Sequence, residues 1–513
     1  MLEWLLVFLS IFYFTSPVGI SSLWGHLWII TICLSTLRKI SRYYFFWLFI
    51  IISFLFAQEK RFSLEYVLFA MSLFSLGFNS RWEEKHRKFL FWIFLFLILA
   101  NQFKLDFFER GSLLLFLPVY LSLYYKEINK KNFLVYLGSS LALFFSNKLS
   151  SILAFILSLR RKIFYLLSVL LLLGYFFLKQ SFSEFLLKSF KPRLYIWKSI
   201  ADAFFEKPFF GHGFGTFALD FSPYRVHSNV LGGRINELVV HGHNLFFHYA
   251  FELGLLGISL MCILLYLIYI NVRQAFLPFL IISLFDTPLV NFNQVMLAGF
   301  LISPCIKDFG IFKNVFNVFS NKHIKNILFV FSVLLSSYVF VPSLVGHYFY
   351  DTKNIDEAIK WDNKNSLYWF TRGSNNLNTA PKQSEADFTK AIELSPSVSY
   401  FYGFLGAAQL ANNKSSEAKQ NLKKAIAFDG YDGYWCLMYA YANYNDKVIF
   451  KEYFKKALKK NPEIKEILAN PQTTSAQYLG TTKKGDARLV GFYRMGDNIY
   501  FPLPVISNLG FTL

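Results

Sequence analysis

The chain has 513 residues, of which 55% are hydrophobic, 20% aromatic and only 16% charged. That balance is too apolar for an ordinary soluble domain and points to a polytopic membrane protein. The formal charge of +20 is then best explained by basic loops on the cytoplasmic side and by contacts with anionic lipids or phosphates. No basic stretch sits on a recognisable nucleic-acid module, so nucleic acid is not an expected partner.

Apolar spans run over 1–17, 22–38, 43–57, 62–79, 89–101, 111–125, 132–146, 149–158 and 162–178. They resume at 243–271, 275–290, 293–305 and 326–345. The first of them, opening "MLEWLL", lacks a basic n-region and is expected to be an uncleaved anchor. The basic connections "LRKISR" (37–42), "RWEEKHRK" (81–88), "KEINKKN" (126–132), "RRK" (160–162) and "NKHIK" (321–325) fall on alternate sides from "SPVGISS" and the interval 180–242. With all of them inside, the N-terminus is cytoplasmic, and the interval 180–242 and the chain after about residue 346 are extracytoplasmic. The expected fold class is all-α: a transmembrane bundle of about 12–13 spans, a large outer loop and a C-terminal solenoid. The domain bounds are 1–179 and 243–345 for the spans, 180–242 for the loop, 350–465 for the solenoid and 466–513 for a tail.

The four cysteines, Cys33, Cys262, Cys305 and Cys436, form no CxxC pair, which argues against a metal site or a disulfide framework. In the outer loop, "KPRLYIWKSIADAFFEKPFFGHGFGTF" (191–217) suits a helix that begins at Pro192 and stops at Pro208. Arg193 and Trp197 lie one turn apart on it. In "GHGFG" the glycines Gly211, Gly213 and Gly215 permit a tight turn, and its amides are free to face an anion. The next span opens "HGHNLFFHYAFELGLLG" (241–257), setting Asn244, His248 and Glu252 on one helical stripe. His248 and Glu252 are expected to satisfy each other against neighbouring helices, whereas His243 stands at the water–membrane boundary, where an imidazole takes up a proton near neutral pH. Arg225, His227, Arg234 and His241 are either phosphate or sugar contacts or solvated loop charges. Asp286 is an intramembrane carboxylate, a functional suspect by default, and here expected to be structural.

Past residue 346 the charges rise, and "EAIKWD", "KAIELSP", "KAIAFDG" and "KALKKNP" recur about every 33 residues, the tetratricopeptide period. Their alanines are Ala358, Ala391, Ala425 and Ala457. The tail alternates as "ARLVGFYRMGDNIYFPLPV", which suits a short β-hairpin.

Taken together, Arg193 and Trp197, then Pro208, Gly211, Gly213 and Gly215, then His243, Asn244, Glu252, Gly254 and Gly257 resemble the O-antigen ligase and polymerase superfamily. The resemblance covers roughly residues 130–305. It implies a multi-span glycosyltransferase that takes a glycan from a polyprenyl-diphosphate donor, without a cofactor or metal and with inversion at the anomeric centre. No Asp-x-Asp cluster lies at the outer face. The family's usual outer-turn arginine corresponds to Lys148 in "FSNKLSSILA", which keeps the charge but not the guanidinium fork. On this resemblance His243 is the general base and Arg193 the principal cation facing the leaving diphosphate. Lys148, Trp197, the three loop glycines, Asn244 and Glu252 are the expected substrate contacts, and Arg225 and Arg234 are further candidates from the loop. Three acceptors remain open: lipid A-core, a second lipid-linked repeat unit, or a protein hydroxyl. Ligation to lipid A-core ranks first, and the tetratricopeptide groove suits a protein partner or acceptor. From a different class, a lipid-linked glycan flippase with a protein-docking tail and an envelope scaffold are the competing readings.

Overall fold

The structure, a computed structural model, describes residues 31–33, 36–38, 41, 44–57, 60–79, 190–224, 241–271, 273–287, 295, 321–428 and 433–460. Lys148, Arg225, Arg234 and the tail 466–513 lie outside them. Among the described residues every regular element is helical. They divide into two compact units, one holding the residues up to Phe217 and from His241 to Val339, the other those from Ala218 to Tyr224 and from Phe340 onward.

In the first unit, α1 (Tyr44–Phe56) and α2 (Lys60–Asn79) pack as a pair. Then come α3 (Lys191–Glu206), the short α4 (Phe217–Asp220, which continues into the second unit), α5 (Leu245–Asn271) and α6 (Arg273–Phe285). Helix α3 starts with Pro192 in its first turn, where the missing N–H costs nothing. It buries Ser199, Ile200 and Ala203 and packs on α5, which also packs on α6. Helix α5 is capped by Asn244, whose Oδ1 accepts from the amides of Phe246 (2.9 Å) and Phe247 (3.1 Å), satisfying two of the donors that a helix start leaves open. The stretch Leu245–Ile270 and α7 (Lys322–Asp351) are the two described helices long and apolar enough to cross a membrane.

The second unit takes in the end of α7 and a run of shorter helices: α8 (Ile355–Trp361), α9 (Ser366–Asn376), α10 (Pro381–Leu394), α11 (Ser399–Ala411), α12 (Ser415–Phe428), α13 (Gly433–Ala442) and α14 (Lys447–Lys460). Each packs on the next. Asn354 and Asn365 cap α8 and α9, and Asp446 accepts from the amides of Val448 and Ile449 at the start of α14. The recurrent alanines Ala358, Ala391, Ala425 and Ala457 are all fully buried. Close crossings fall at small residues: a Cβ on Gly406 would lie 2.6 Å from Leu422, and one on Gly373 2.8 Å from Phe388. Aromatic packing fills the rest, with Phe370 in ring contact with Phe388, Phe401 and Phe404. In this unit Ser397 also donates to Asp220 (3.2 Å), from the segment after the glycine-rich turn, and both are buried.

One buried charge is matched here by geometry. The Arg372 guanidinium forks onto both oxygens of Asp387 (3.0 and 2.7 Å) and reaches Asp356 at 2.8 Å; Asp387 itself is buried. Removing the arginine leaves a carboxylate inside the unit with only Gln383 donating to it (3.0 Å). Arg372→Leu is therefore expected to cost about 3 kcal/mol. Lys414→Leu, which breaks the exposed pair with Glu385, is expected to leave stability almost unchanged. Thermal unfolding of both variants in detergent checks the contrast.

Candidate functional site

Helix α5 is continuous in outline but broken at Gly254, which holds φ 62° and ψ −143°. Beyond a break, the amides of residues 255 and 256 no longer reach the carbonyls of 251 and 252, and in an apolar helix such groups must find partners. The glycine-rich loop supplies them by exchange. Leu255 N donates to Pro208 O (2.7 Å) and Leu256 N to Phe209 O (3.4 Å). In return His212 N donates to Phe251 O (3.0 Å) and Gly213 N to Glu252 O (2.9 Å). A Cβ on Gly254 would strike the Pro208 carbonyl, and one on Gly211 the Glu252 carbonyl group. The two motifs are thus halves of one backbone interlock.

This corrects the expectation that the loop amides face an anion. Those of His212 and Gly213 bond α5, and that of Gly211 bonds Lys207 O (3.1 Å). Gly213 abuts Ala57, and Gly215 abuts the Tyr66 ring. Phe214 stacks on Phe49, meets Tyr66 edge-on, and accepts from Ser63 through its carbonyl (2.7 Å). All three glycines therefore serve close packing of the loop on α1, α2 and α5.

His212, which the sequence did not single out, is buried and stacked on Phe251 with ring centroids 4.4 Å apart, its Nε2 3.2 Å from Ala203 O. Burial pushes its pKa down to about 4, only partly opposed by the Ala203 carbonyl.

The remaining expected residues gather where α3 meets the start of α5. Trp197 Nε1 donates to Gly242 O (2.9 Å), and its ring stacks on Phe247 with centroids 5.5 Å apart. Arg193 lies one turn earlier on α3. Its guanidinium is largely buried, which lowers its pKa, while the Asp286 charge at the end of α6 works the other way. Asn244 Nδ2 donates to Leu284 O (2.9 Å), drawing that end of α6 to the same place. Asn244 is thus occupied as cap and tether. Asp286 belongs beside Arg193 on electrostatic grounds, a neighbourhood that sequence could not supply because the two lie about ninety positions apart.

His243, half-buried, adopts φ 50°, a left-handed backbone in a residue other than glycine. That conformation costs on the order of 1 kcal/mol or more and persists only where neighbours enforce it. Glu252 stands behind it. Its carboxylate is buried, with Oε1 3.3 Å from His248 Nε2 and accepting from Phe217 N at 3.2 Å. The structure brings His248 and Glu252 together as the sequence suggested, but through proximity, since neither His248 Nε2 nor Glu252 Oε2 makes a hydrogen bond.

The described residues therefore define a helical protein with two helices apolar and long enough to cross a membrane, and with α3, through Trp197, bonded to the residue before His243 at the head of one of them. Residues 110–262, rather less than a third of the chain, match the family model described as O-Antigen ligase. The match contains every expected site residue and stops short of Asp286. No curated protein matches the chain. With two described helices long and apolar enough to cross a membrane, the match supports a membrane glycosyltransferase of O-antigen ligase or polymerase type.

Two outcomes follow from this geometry. Gly254→Ala strains the backbone and expels the Pro208 carbonyl, so it is expected to destabilise the first unit by about 3 kcal/mol or more; melting in detergent measures it. Because His212 titrates lower in the folded protein than in the unfolded chain, its contribution is complete above about pH 6.5 and is lost as pH falls toward about 4. His212→Gln is expected to flatten the pH dependence of the melting temperature across that window.

Proposed function

We propose that the protein transfers a glycan from a polyprenyl-diphosphate donor to an acceptor hydroxyl at the outer face of a bacterial inner membrane, with lipid A-core as the acceptor. What supports this reading above all is the Trp197–Gly242 bond, which joins the helix bearing Arg193 to the residue before His243. A cation and an imidazole are thereby held at one end of one helix pair. Attack on the anomeric carbon breaks its bond to the diphosphate oxygen, and negative charge grows on that leaving oxygen. Arg193 is assigned to stabilise this charge, together with Lys148, and His243 to take the proton of the incoming hydroxyl. A fixed cation at that point favours the transition state over the ground state.

The exposed Phe205 and Phe209 (78% and 66% accessible) and Leu194 favour α3 lying along the lipid headgroups, where a lipid-anchored diphosphate sits. The N-terminus is assigned to the cytoplasm, and the loop 180–242 and the helices after residue 346 to the outer side. The run of hairpins with buried alanines about 33 residues apart is assigned as a tetratricopeptide solenoid following a polytopic bundle. Its groove suits a protein partner.

Reconstitution in proteoliposomes tests the reading. The donor is an undecaprenyl-diphosphate-linked oligosaccharide, and lipid A-core, a second donor molecule and a hydroxyl-bearing peptide are offered in turn. Transfer to lipid A-core is expected. His243→Ala is expected to lower kcat by about 10²–10⁴-fold, and Arg193→Ala to abolish detectable transfer, with Arg193→Lys recovering only part because lysine lacks the bidentate fork. Movement of the lipid diphosphate across the bilayer without glycan transfer would instead identify a flippase.

A further inference from the structure

The peptide between His241 and His243 is gripped from both ends. Gly242 O accepts from Trp197 Nε1 at 2.9 Å, and Gly242 N–H donates to His248 Nδ1 at 3.3 Å. A Cβ on Gly242 would sit 3.2 Å from His248, so the approach is close as well as bonded. Nδ1 of His248 is thus the acceptor, and its Nε2 lies 3.3 Å from Glu252 Oε1, a close polar contact without hydrogen-bond alignment. A carboxylate at that distance electrostatically favours the proton on Nε2, which leaves Nδ1 to receive the Gly242 amide. Glu252 is itself steadied by the Phe217 amide (3.2 Å), and the Phe217 ring stacks on His248 with centroids 4.7 Å apart. Both side chains are 1% exposed, so neither is open to a sugar or a diphosphate.

We infer that Glu252 and His248 are positioning residues for His243: they fix the Gly242 peptide and thereby hold His243 in its left-handed backbone, aiming its imidazole. This deepens the proposed transfer reaction and rests on it for the role of His243, whereas the grip on Gly242 stands independently. It also moves Glu252 from the substrate contacts to the structure behind the base. Trp197 closes the other side, which accounts for the separation of Trp197, His243 and Glu252 in sequence.

The test has two arms on the full-length protein. Hydrogen exchange at the Gly242 amide, followed by mass spectrometry in detergent, is expected to accelerate at least tenfold in His248→Leu and in Glu252→Ala, and to stay near wild type in Glu252→Gln. The glutamine keeps an acceptor oxygen for Phe217 N–H and beside His248 Nε2. Unchanged exchange in His248→Leu overturns the inference. In the second arm, with the undecaprenyl-diphosphate oligosaccharide and lipid A-core, Glu252→Ala is expected to lower kcat tenfold or more with donor KM unchanged. Glu252→Gln is expected to restore most of it, and the Glu252→Ala, His248→Leu double variant to be no worse than either single change. A raised donor KM with kcat intact would make Glu252 a substrate contact and overturn the inference. A wild type without transfer defeats the reaction assignment alone, because the exchange arm still decides whether Gly242 is held as described.

Discussion

A helix that crosses lipid keeps its backbone hydrogen bonds to itself, because no water is present to take their place. Gly254 breaks that rule in the middle of Leu245–Asn271, and the surrounding structure is organised around repairing the break. Two amides and two carbonyls released by the helix are taken up by the segment Pro208–Gly213, each finding its partner there. The interlock positions the glycine-rich loop, and through it Phe214 against α1 and α2. It also ties the end of α3 to α5, and Trp197 reaches the first turn of that helix, with Arg193 one turn earlier on α3. A loop whose glycines resemble an anion nest turns out to be the missing stretch of a helix's hydrogen-bond ladder.

Above the break, the first turns of α5 carry polar side chains that each have work inside the fold. Asn244 caps the helix and holds Leu284, while Glu252 and His248 pair beneath Gly242. Beside them come Arg193, one turn from Trp197 on α3, and His243 in an enforced backbone conformation. The buried polar groups supply rigidity here, and the proposed chemistry falls to the partly buried Arg193 and His243. Catalysis by fixed charge depends on such rigidity, since a group that must reorganise during the reaction loses most of its advantage.

The second unit is stable for different reasons. Its short helices are individually marginal and hold because small residues let neighbours approach and aromatic rings fill the seams. The buried Arg372–Asp387 fork fixes how α9 meets α10. Ser397 and Asp220 show that this unit also engages residues just beyond the glycine-rich turn, so its hairpins do not pack on each other alone.

Much was legible from residues alone. Of the apolar runs, two reappear as described helices long and apolar enough to cross a membrane; Pro192 and Pro208 bracketed α3, and the alanines at Ala358, Ala391, Ala425 and Ala457 marked helices packed in sequence, because these are local consequences of side-chain chemistry and backbone sterics. The ordered series from Arg193 to Gly257 falls inside the family match, which runs over residues 110–262 where the resemblance suggested roughly 130–305. What chain order did not carry was the identity of partners. That the glycine loop bonds a broken helix, that Asp286 bears on Arg193, and that Trp197 and His248 hold opposite ends of one peptide were decided only by tertiary structure. Hydrogen bonds and charges act across distances in space, and here the groups they join stand from six to about ninety residues apart in sequence.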